Sequence, residues 1–186
     1  MEKVESVKRK RIVEILTTEK SKYIIGTVLL LGIGIALPRI FHVLVGSSAG
    51  AMLLPMHIAV LIAALVFGMT SSSIVAMVSI VCSYLLVGMP SIERLPYMMI
   101  ELLIYAITLS VFNKKFNKYI SLILTIVIGR IIYAGVMFFA TSILQFQAYG
   151  ISVIESTKAG WIGIVIQLIC IPYLAIKIQK GLRLND

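Results

Sequence analysis

Apolar runs long enough to cross a lipid bilayer, with basic residues gathered on one side of them, constrain this chain more than anything else in it. Six such runs can be drawn: Tyr23–Phe41, Pro55–Gly68, Ser72–Val87, Leu95–Phe112, Tyr119–Thr141 and Ala159–Ile176. A helix rising 1.5 Å per residue needs ~20 residues to cross a ~30 Å hydrocarbon core. The second run is short and would also suit a re-entrant or protein-packed helix, but it is read here as a membrane helix opening on Pro55, a residue at home in a first helical turn. Of 17 basic residues, seven lie between Lys3 and Lys22, three between Lys114 and Lys118, and three between Lys177 and Arg183. With both termini cytoplasmic, the outer loops hold only Arg39, Arg94 and Lys158. Such an imbalance in short loops sets orientation.

The expectation is therefore an all-α membrane protein with six transmembrane helices, multi-pass in a cell membrane of the bacterial plasma-membrane type. Residues 1–22 form a cytoplasmic basic tail or an interfacial helix, since Val4, Val7, Ile12, Ile15 and Leu16 fall loosely at helical spacing. Residues 23–186 form one membrane domain. No A-x-A cleavage site follows the first run, which is read as retained.

Composition agrees: 60% of residues are hydrophobic and 13% charged, against roughly 25% charged in a soluble domain. The net charge of +9 does not imply nucleic acid, because the basic residues flank apolar runs instead of forming a soluble stripe. Cys82 and Cys170 lie inside apolar runs with no ligand spacing around them, so neither a disulfide framework nor a metal site is expected. No P-loop, HExxH or GxSxG motif is present, and no cofactor is implied. A chain without energy-converting or hydrolytic machinery reads as a recognition subunit and not as an enzyme.

Ionisable groups at membrane depth are expensive and mark function. Glu101 falls ~9 Å below the outer end of its run, Arg130 ~17 Å above the cytoplasmic end of the next, and Gln167 ~12 Å below the outer mouth of the last. These three converge in depth. His57 follows Pro55 at a helix start and joins them as a candidate ligand contact, with Tyr84, Tyr133 and Trp161 as aromatic neighbours. Tyr97 and Tyr105 read equally well as belt or packing residues. The Glu101–Arg130 combination could be an ion pair between helices, a ligand contact, or both; the arginine fork suits a carboxylate, carbonyl or heterocycle edge. Between the first two runs, Gly46, Ser47, Ser48, Ala49 and Gly50 form a small-residue loop with the freedom a gate requires. Gly32 and Ala36 make a small-xxx-small pair that lets another helix approach, from this chain or from a partner.

The segments ALPRIFH and LPMHIAVLIAALVFG, then MMIELLIYAI at 98–107 and IGRIIYAG at 128–135, resemble the S components of energy-coupling factor importers. The resemblance implies a membrane subunit that captures a vitamin or vitamin-like cyclic metabolite from outside and delivers it by toppling of the whole bundle. It also implies partners: a transmembrane coupling protein, docked at Gly32 and Ala36, and two ATPase subunits. Glycine at position 32 stands where that family's docking face carries alanine. Two other classes compete: a six-span scaffold protein without a ligand, and an intramembrane enzyme, which would need Glu101 and a histidine within reach of each other.

Overall fold

The computed structural model describes residues 19–45, 55–88, 90, 92, 95–142 and 153–182. Its regular elements are the helices α1 (Glu19–Val45), α2 (Pro55–Val66), α3 (Met69–Val87), α4 (Leu95–Phe112), α5 (Lys118–Ser142) and α6 (Val153–Leu182). All except α2 are long and apolar enough to cross a membrane. Their outward faces carry large apolar side chains, among them Val28, Leu86, Ile131, Phe138 and Ile169, while Ser72, Ser79, Ser83, Ser121, Thr125 and Gln167 are buried. Polar groups inside and apolar groups outside is the arrangement of a helical bundle solvated by lipid. The protein is a multi-pass helical membrane protein.

The short second run behaves differently from the others. With 12 residues, α2 is about 18 Å long, too short to span the core. Every residue in it except Ile58 is buried. Helices α1, α3, α4 and α6 all pack on it, and α3–α4, α4–α5, α5–α6 and α1–α3 are neighbours around it. Helix α2 is thus a central post inside a ring of longer helices. A helix that is apolar apart from His57 has this place open to it, because its faces need little water.

Small residues let the ring close on the post. A Cβ on Gly34 of α1 would lie 3.3 Å from the Ala59 Cβ and 3.1 Å from the Ser79 Cβ, so α1, α2 and α3 meet there at near-backbone separation. One end is fixed by polar caps. The carbonyl of Leu65, in the last turn of α2, accepts hydrogen bonds from Asn113 Nδ2 (3.3 Å) and Gln179 Nε2 (3.2 Å). Such last-turn carbonyls have no partner within their own helix. Tyr23 packs edge-on against Phe67 at this end, and Lys20, Lys22, Lys114, Lys115, Lys118, Lys177 and Lys180 cluster around it. Asn117 caps α5 by accepting the Ile120 N–H at 2.8 Å.

Several boundaries differ from the sequence reading. Helix α1 runs to Val45, past the expected end at Phe41, and contains Pro38, and α6 likewise contains Pro172; neighbouring helices make such prolines tolerable in a membrane. The gap at 69–71 between the second and third runs is helical, and the turn is only Phe67-Gly68, with Gly68 at φ 80°, a conformation that glycine adopts without strain. Helix α6 begins at Val153, six residues before Ala159.

The packing separates two glycines of α1. A Cβ at Gly26 would run into the Phe67 ring, whereas at Gly32 it meets nothing within 4 Å. Gly26→Ala is expected to destabilise the protein by about 1–3 kcal/mol, the usual cost of overpacking. Gly32→Ala should leave stability unchanged or slightly raised. Reversible denaturation in detergent micelles measures both.

Candidate functional site

Two segments that stand out in the sequence interlock in space. In α4, Glu101 and Tyr105 are four residues apart and so share a helix face. In α5, Gly129 precedes Arg130. A side chain at Gly129 would occupy the place of the Tyr105 ring; the glycine makes room for the phenol, and the next residue sends its guanidinium to the carboxylate. Arg130 Nη1 lies 3.2 Å from Glu101 Oε1. The Tyr105 hydroxyl donates to the same oxygen at 3.2 Å. His57, from the second residue beyond the start of α2, brings Nε2 to 3.7 Å from that oxygen and sets its ring edge-on to Tyr105, with centroids 5.2 Å apart. Three helices thus converge on one carboxylate oxygen.

The cluster is interior. Glu101 is 5% exposed, His57 2% and Tyr105 2%. Counting residues from the Leu65 cap places it: Glu101 is twelve residues from Asn113, and Gln167 twelve from Gln179, so both stand roughly 18 Å above the capped end. Arg130 is twelve residues from the start of α5, at a similar height. Within a ~30 Å core this is close to mid-depth.

Satisfaction of these groups is incomplete. Arg130 Nε and Nη2 and both nitrogens of His57 are buried without a hydrogen-bond partner, as are the hydroxyls of Ser79, Ser83 and Thr125. A buried polar group left unpaired costs about 1–3 kcal/mol. Nε and Nη2 include one side of the guanidinium fork, the kind of edge that takes two acceptors at once. Glu101 therefore neutralises Arg130 while leaving much of its hydrogen-bonding capacity unused.

The remaining sequence candidates divide. Gln167 is buried at 3% exposure on α6, at the height of the cluster. Tyr84 on α3 and Tyr133, one turn past Arg130 on α5, are half-buried. Trp161 is 60% exposed, and the structure does not bring it to the cluster. Gly32 and Ala36 are exposed on α1. Gly46, Ser47 and Gly50 lie outside the described residues. Among the described residues no group of three His, Cys, Asp or Glu could hold a metal ion. Sequence reasoning had not assigned Tyr105 and Gly129 to the site, although the four-residue spacing from Glu101 was available as a signal for the first.

Comparison of the chain with protein-family models, with curated proteins and with solved structures finds no match. Its function has to be read from this chemistry.

The ion pair makes a sharp energetic expectation. Glu101→Ala should destabilise by about 3–5 kcal/mol, because it leaves the Arg130 cation buried and uncompensated. The double variant Glu101→Ala with Arg130→Met should recover part of that loss. A double-mutant cycle by denaturation in detergent tests it; additive losses would mean that the two groups do not interact.

Proposed function

We propose that this protein is the membrane-embedded capture subunit of an importer for a small cyclic, vitamin-like metabolite, working as an S component of an energy-coupling factor module. The observation that carries the reading is the mid-depth cluster of His57, Glu101, Tyr105 and Arg130, charged yet short of partners. A ligand with donors and acceptors would satisfy the unused guanidinium edge and the imidazole, and would repay their desolvation. In this reading Gln167, buried at the same height, and Tyr133, one turn past Arg130, are further ligand contacts, with Gly46, Ser47 and Gly50 as the gate.

In this reading both termini face the cytoplasm, following the lysines at the Leu65 end. The post α2 takes the place of the second of six membrane segments, reaching inward from the outer side. The exposed Gly32 and Ala36 face of α1 docks a transmembrane coupling protein, which carries two ATPases. That face suits close approach because, among the described residues, a Cβ at Gly32 meets nothing within 4 Å. The substrate enters from outside, and the bundle topples to release it.

The 3.7 Å separation of His57 and Glu101 also meets the spacing an acid–base pair would need, and so favours the enzymatic reading on distance alone. Binding is the better reading because Oε1 of Glu101 is already shared by a cation and a phenol, which makes it a fixed anion and not a poised base.

Purified protein screened against vitamins and nucleobases by thermal shift should be stabilised by one chemical group of ligands. Arg130→Lys should weaken that binding at least tenfold while the variant stays folded, since an ammonium cannot replace a two-acceptor edge. No stabilisation by any compound would favour the scaffold alternative. Gly32→Leu should leave ligand binding intact but abolish co-purification with the coupling protein.

A further inference from the structure

Among the described residues, the ring around α2 has one open seam. Helices α1 and α6 flank a groove of about 520 Å³ at the lysine-rich end. Ile25 and Leu29 of α1 face Ile178 and Leu182 of α6 across it, and Phe67, at the end of the central post, lines its inner side. Ile25, Leu29 and Ile33 are also 40–62% exposed, so the groove opens outward to the surrounding lipid. Its walls are apolar apart from Lys22.

We infer that this seam is a specific site for one anionic phospholipid of the leaflet at the lysine-rich end. One acyl chain lies in the groove between α1 and α6, and the phosphate sits at its mouth. Two features of the site select this occupant. The long apolar walls suit a hydrocarbon chain and offer no side-chain donors to a polar solute. The charge at the mouth is net positive: Lys22 lines the groove, and Lys20 and Lys180 are exposed at the same end, where Glu19 begins α1. Lys22 also takes part in an interaction within the chain. Lys177 is directed elsewhere, 5.3 Å from the Tyr173 ring centroid. A helix from a second copy of this chain would bring the same lysines against themselves. The site is independent of the Glu101 cluster at mid-depth.

The structure offers a way to fill the groove without disturbing the fold. Gly181 lines it, lies near the end of α6, and a Cβ there meets nothing within 4 Å. Gly181→Leu places a side chain where the acyl chain would lie.

The test is native mass spectrometry of the full chain, released from detergent after exchange against phosphatidylglycerol and phosphatidylcholine with identical acyl chains. The wild type should retain one phosphatidylglycerol with a preference of about 30-fold, the order expected from two lysines at an anionic surface. Gly181→Leu should lose the retained lipid. The Lys20→Gln, Lys22→Gln double variant, altered outside the packed core, should lose most of that preference, keeping only what Lys180 supplies. Equal retention of the two lipids by the wild type would overturn the inference, as would undiminished lipid on Gly181→Leu. A lipid-free dimer that Gly181→Leu dissociates would also overturn it and would identify a second copy as the occupant.

Discussion

A carboxylate near the middle of a lipid-embedded bundle is tolerable only if its charge is answered locally. Here the answer comes from Arg130, with Tyr105 adding a hydrogen bond to the same oxygen. Much of the surrounding packing can be traced to that requirement. Arg130 reaches Glu101 because α4 and α5 pack closely, and the Tyr105 ring between them needs the absence of a side chain at Gly129. His57 reaches the same carboxylate because α2 is buried against α4. The ion pair, the glycine and the placement of the short helix are therefore parts of one solution.

That solution is deliberately incomplete in one respect. Natural interiors leave few buried polar groups unpaired, yet this one leaves two guanidinium nitrogens, an imidazole and three hydroxyls without partners. A purely structural ion pair would gain by closing its remaining hydrogen bonds or by giving way to apolar residues of similar volume. Retention of an unsatisfied polar interior is easier to explain if something polar comes and goes there.

Much of this was legible in the sequence because the signals were strong. Long apolar runs and lysine-rich flanks each have one dominant physical meaning in a membrane, and isolated Glu101, Arg130 and His57 within apolar surroundings stand out as groups that need partners. Depth counted along the helices brought Glu101, Arg130 and Gln167 to a common level, which the capped end at Leu65 reproduces. What could not be read was azimuth. Trp161 and Gln167 lie on the same apolar helix, whose sequence does not say which face is inward; only packing on α2 turns one out and buries the other. The role of α2 was hidden for a related reason. Apart from His57 its composition is apolar, so its length hinted that it need not span, but nothing local distinguished a membrane helix from a central post.

The shortness of α2 has an electrostatic consequence. Gly34 of α1 stands opposite Ala59, and α1 continues eleven residues beyond that point while α2 begins only four residues above it. The first turn of α2 therefore opens well inside the bundle, below the end of α1. A helix concentrates partial positive charge in the free amide donors of its first turn, and in a medium that screens poorly this acts over a longer reach than at a wet surface. The half-length helix thus delivers its dipole to the depth of the Glu101 carboxylate, making the interior more receptive to negative charge than the side chains alone would.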